Sequence, residues 1–107
     1  MNPTTTIPVV VTPEAAARVA ELGMQRELDI MVQHALQTVP GLRSVEVQLA
    51  LPYDTGDETR ITIEAMADLD ADGHFQAEKQ YGTWVINTFA PAICAYIHLL
   101  TVPGTTP

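Results

Sequence analysis

The most regular pattern in the chain lies between Ser44 and Ala67. Val45, Val47, Leu49, Leu51 and Tyr53 alternate with Glu46, Gln48 and Ala50, a period of two that predicts a strand buried on one face. Asp54-Thr55-Gly56-Asp57 supplies turn residues. A second strand is then predicted over Arg60 to Ala67, with Ile61, Ile63 and Ala65 inward and Thr62 and Glu64 outward. These two strands form an antiparallel hairpin.

Before the hairpin the period changes. Thr12-Pro13-Glu14 is a helix start: a capping hydroxyl, a proline suited to the first helical position, and an acid in the first turn. The helical pattern runs to about Thr38 and stops at Pro40-Gly41. Met24, Leu28, Met31, Val32, Ala35 and Val39 fall on one face, whereas Val19 and Leu22 point to nearly the opposite side. Gly23 stands at the changeover. Either the helix breaks there, or one long helix buries two faces and needs another chain or another segment to cover one of them. Val9 to Val11 fits a short edge strand.

After the hairpin, Phe75, Gly82, Val85, Ile86 and Phe89 share a helical face, which predicts a helix ending near Phe89. His74 to Lys79 also fits a third strand, with Asp72-Gly73 as its turn. From Ile93 to Leu100 the alternation of Ile93, Ala95, Ile97 and Leu99 with Cys94, Tyr96, His98 and Leu100 predicts a central strand, apolar on both sides. The order helix, strand, strand, helix, strand predicts an α+β two-layer sandwich, an antiparallel sheet of three to four strands with helices on one face. Its domain spans 9–102, with Thr- and Pro-rich tails at 1–8 and 103–107. The other sheet face would carry Glu46, Gln48, Ala50, Thr62, Glu64 and Met66, with Tyr96 and His98. It is neither plainly solvated nor plainly core, and is the candidate partner surface.

Composition narrows the function. The 107 residues suffice for one core, and 47 % are hydrophobic, which excludes a disordered chain. Thirteen acids against five bases give a net charge of −8. Arg18, Arg26, Arg43, Arg60 and Lys79 are too scattered to track a phosphate backbone or hold an anionic membrane, so nucleic-acid and membrane partners are not expected. Acidity favours cations and basic protein surfaces. Only 17 % of residues are charged, so part of the surface is suited to being covered. Trp84 to Val102 lacks formal charge, yet Asn87, Thr88, Pro91 and His98 interrupt it, which argues against a membrane span. Without a signal-peptide pattern at Met1 to Pro8, a cytoplasmic location is expected.

One segment carries a chemical signature. Asp68, Asp70 and Asp72 at alternate positions, then Gly73, match the opening of an EF-hand calcium loop. His74 would add its carbonyl and Glu78 a further carboxylate. The twelfth position, where a bidentate glutamate belongs, is Lys79, and the preceding segment reads as a strand rather than an entering helix. The plain alternative is an acidic turn. No cofactor is expected, with calcium as the possible exception.

Cys94 alone excludes an internal disulfide or a multi-thiolate site. On a strand it would stand about 13 Å from His98, too far for a thiol–imidazole pair. The three histidines show no local metal-ligand spacing, and His34 falls among polar helix positions and is read as solvated. Ile7 to Gly23 resembles the start of the A-type iron–sulfur carriers. Those bind through three cysteines, so the resemblance brings no function here.

The expectation is a small non-enzymatic protein-interaction module that associates with itself, with a basic protein as a further possible partner. The alternatives are a calcium-binding domain at Asp68–Glu78, and a small enzyme whose residues meet only in three dimensions, around Tyr96, His98 and the Asp57-Glu58 turn.

Overall fold

A computed structural model describes residues 7–50 and 60–103. In chain order the elements are β1 (Val9–Val11), α1 (Pro13–Leu22), α2 (Gln25–Thr38), β2 (Leu42–Leu49), β3 (Ile61–Ala67), α3 (Ala71–Thr88), α4 (Pro91–Tyr96) and β4 (Ile97–Pro103). The expected turn at Asp54–Asp57, the strand end at Tyr53 and most of both tails lie outside the described residues.

The class is α+β, and among the described residues there are four helices and a four-stranded sheet in the order β1-β2-β3-β4. The sheet is mixed, and this corrects the expected antiparallel one. β2 and β3 pair antiparallel, but β1 runs parallel to β2 and β4 parallel to β3. The reason is connectivity. Neighbouring strands joined through helices that run back along the sheet end up parallel, and both outer strands are joined in this way.

Local chemistry sets the element ends. Thr12 caps α1, its hydroxyl accepting from the Ala15 N–H at 3.2 Å, and Pro13 occupies the first turn. Gly23 takes the left-handed conformation at φ 68°. Its N–H and that of Met24 reach back to Ala20 and Val19 carbonyls, which closes α1. The helix therefore breaks at the glycine, and the two apolar faces belong to two helices meeting one core.

Two expectations after β3 need correction. His74 to Lys79 is helical, and the buried residues of α3 are Ala77, Tyr81 and Val85, while Phe75 and Ile86 are exposed. The expected stripe contained Phe75 and Ile86 because spacing cannot say which of two overlapping faces meets the core. Ile93 to Tyr96 is also helical, because Pro91 opens a short helix, α4, and only from Ile97 onward is the chain extended.

The core joins Ala15, Val19, Leu28, Met31 and Ala35 of the first helices to Tyr81 and Val85 of α3. The strands contribute Val45, Val47, Ile61, Ile63 and Ile97, each at most 1 % exposed. Of the inward positions expected for β2 and β3, Val45, Val47, Ile61, Ile63 and Ala65 are buried and Leu49 packs partly buried against the core, while Leu51 and Tyr53 lie outside the described residues.

Candidate functional site

Strand register turns the remaining sheet residues into rows on the face away from that core, since alternate residues of a strand point to opposite faces. One row is Val10, Glu46, Glu64 and Leu100; on its two sides lie Ser44–Met66–Val102 and Gln48–Thr62–His98. A last row pairs Ala50 with Arg60, whose carbonyl accepts from the Ala50 N–H at 2.8 Å. Six of the seven expected partner-surface residues (Glu46, Gln48, Thr62, Glu64, Met66 and His98) share this face.

Tyr96 does not. It ends α4 and packs partly buried against the core, with the Arg18 guanidinium 5.7 Å from its ring centre. A strand through Ile93–Tyr96 would put Tyr96 and His98 on one face, and the helix α4 removes that parity. Asp57 and Glu58 lie outside the described residues, so the expected three-dimensional cluster keeps only His98 on this face.

The surface has a graded character. Val10, Met66 and Leu100 are exposed apolar side chains, at 54 %, 38 % and 43 %. Glu46 and Glu64 sit directly opposite each other across β2 and β3, an arrangement that destabilises an isolated sheet face. At the other end, Arg60 forms no salt bridge with a described residue. His98 Nε2 lies 3.2 Å from the Thr62 hydroxyl. Burial of its ring, and then the positive charge of Arg60, hold the His98 pKa below the ordinary histidine value. The face thus carries its two acids in an inner row and the Arg60 guanidinium in the row at one end.

A second cluster escaped the sequence pattern. His34, read as solvated, is half-buried and stacks on Trp84 with ring centres 3.6 Å apart and planes 3° from parallel. Tyr81 leans on both rings and donates its hydroxyl to the Met31 carbonyl at 2.6 Å. A shallow groove of about 310 Å³ adjoins this stack, lined by Asp29, Ile30, Gln33, His34, Gln37 and Trp84. Burial lowers the His34 pKa. Tyr81 and Trp84, three apart on α3, were the available signal; the apolar stripe drawn through Phe75 and Ile86 hid it.

The acidic segment does not converge on one centre. Asp68 pairs with Arg43 at 2.6 Å, and Asp70 caps α3 by accepting from the Gly73 N–H at 2.7 Å. Asp72 is in the first turn of that helix. Glu78 accepts from the N–H and the hydroxyl of Thr101, at 2.8 and 2.9 Å. The same hydroxyl meets His74 Nδ1 at 2.8 Å. These side chains tie α3 to its cap and to β4. No group of three or more His, Cys, Asp or Glu side chains suited to one metal ion occurs among the described residues.

The Cys94 thiol, partly buried, points to the Val85 and Phe89 carbonyls at 3.8 and 3.9 Å. Among the described residues no helix is long and apolar enough to cross a membrane. No family model matches the chain, and no characterised protein or solved structure is similar to it.

Proposed function

We propose that the chain is a non-enzymatic interaction module, a two-layer domain whose helices cover one sheet face and whose other face docks a second copy of the chain. One observation carries this reading: a contiguous sheet face presents Val10, Met66 and Leu100 exposed beside charges of both signs. Apolar side chains ringed by polar ones are the usual make-up of a docking surface. Low charge density along the chain supports it further, since a coverable surface needs few charges to desolvate. A second copy is the favoured occupant because the face carries its own complement, with Glu46 and Glu64 in one row and the Arg60 guanidinium in another.

Sedimentation velocity across a concentration series tests the reading. A dimer mass is expected, and Met66→Arg with Leu100→Arg returns it to monomer while circular dichroism stays native. A strict monomer at millimolar protein overturns the proposal, as does a dimer indifferent to both substitutions.

A further inference from the structure

We infer that the two copies meet about a two-fold axis running across the strands, through the row Gln48–Thr62–His98, so that Glu64 of each copy faces the partner's Arg60. The inference rests on the sheet-face reading above and adds its geometry.

Two symmetric ways of laying this face on itself keep the strands aligned. An axis parallel to the strands, between β2 and β3, places β2 over β3 of the partner subunit. Glu46 then faces the partner's Glu64, and Glu64 faces the partner's Glu46. Because these two residues are register partners, four carboxylates crowd one point in the middle of a desolvated interface. Like charges placed so cost several kcal/mol in general.

An axis across the strands instead sets each strand over its own copy, running the opposite way. Residues equally spaced from the axis row then exchange partners, as an isologous contact requires. On β3 the row residue is Thr62, so position 64 meets position 60. On β2 it is Gln48, so Glu46 meets the small Ala50. The acids thereby face a guanidinium or a methyl group in place of each other.

The distances agree. Two residues along a strand displace Arg60 and Glu64 by about 7 Å to either side of the axis. Packed sheets stand about 10 Å apart, a gap that an arginine and a glutamate side chain reaching toward each other span. The roughly 30° rotation between aligned sheets moves positions this near the axis least. Both side chains are available, since neither forms a salt bridge with a described residue. Arg43 and Arg18, by contrast, already pair with Asp68 and Glu21.

A charge-reversal cycle read by sedimentation equilibrium is the test. Arg60→Glu and Glu64→Arg should each weaken self-association about tenfold or more, on the scale of close interfacial charge pairs. The double variant, Arg60→Glu with Glu64→Arg, should return to within about threefold of the original, because the swap recreates both pairs. If a reversal unfolds the chain by circular dichroism, Arg60→Ala and Glu64→Gln are measured instead, with a smaller loss expected from each. An original dimer that ignores these changes, or a double variant no better than the singles, overturns this geometry and leaves the sheet-face reading standing. An original chain that stays monomeric overturns both.

Discussion

His34 and Trp84 make the clearest case at the scale of single residues. Their rings are stacked at 3.6 Å, and Trp84 is the only tryptophan in the chain. Burial lowers the His34 pKa, so between the unfolded value near 6.5 and the lower folded value the unfolded chain binds more protons. Stability from this site is therefore fully present above about pH 6.5 and falls as pH drops through the folded pKa. His98, shifted the same way, adds to the loss. An imidazolium quenches a stacked indole more strongly than neutral imidazole does. Trp84 emission should accordingly fall on acidification with a midpoint below 6.5, and His34→Gln should abolish that step. A midpoint above 6.5 contradicts the assignment. The sequence hid this pair because a histidine among polar helix positions looks solvated until a second helix lands beside it.

At the scale of elements, two left-handed glycines work under different constraints: Gly23 closes α1, and Gly41 lies in the turn between α2 and β2. Gly23, at φ 68°, has open space where a side chain would go. Gly41, at φ 66°, would place a Cβ 2.9 Å from the Asp68 carbonyl oxygen. Gly23→Ala should cost about 1 kcal/mol, the left-handed penalty alone. Gly41→Ala should cost about 2 kcal/mol or more, because backbone must also move. Thermal melts separate them, at roughly 4–8 °C per kcal/mol for a domain near this size; equal losses would show that the Asp68 contact is not rigid. Element starts were legible where the chemistry is local: Thr12-Pro13 opens α1 as expected. Pro91 is the same signal, yet the alternation after it suggests a strand, and α4 shows that the alternation over Ile93–Tyr96 does not exclude a helix. In α3 the choice between a face with Phe75 and Ile86 and a face with Tyr81 and Trp84 was undecidable from spacing, since both satisfy a helical period.

The scale of the whole molecule concerns what covers the sheet. Folding coupled to association makes the melting temperature depend on protein concentration. For a dimer of domains this size a tenfold dilution should lower it by about 3 °C. The Leu100→Arg chain, if monomeric, should melt at a concentration-independent temperature, and a constant melting temperature for the unaltered chain would argue against a dimer. The same scale explains why the candidate surface was largely legible. Six of its residues lie on two neighbouring strands or on the outward positions of β4, where alternation alone assigns a face. Tyr96 was misplaced because its side depended on where a helix ends and β4 begins.

The sequence by itself determined the α+β class, the antiparallel pairing of β2 with β3, the described inward residues of these strands and the start of α1, because each depends on neighbours a few positions away. Tertiary structure decided which strands run parallel, which face of α3 is buried, where Tyr96 points and where the acidic side chains go. Asp68, Asp70 and Asp72 follow a metal-loop spacing, yet Arg43 and the Gly73 amide take the first two in different directions, and Thr101 holds the nearby Glu78. Spacing along a chain fixes which groups could converge. Only packing, which brings residues distant in sequence within hydrogen-bonding reach, fixes which groups meet.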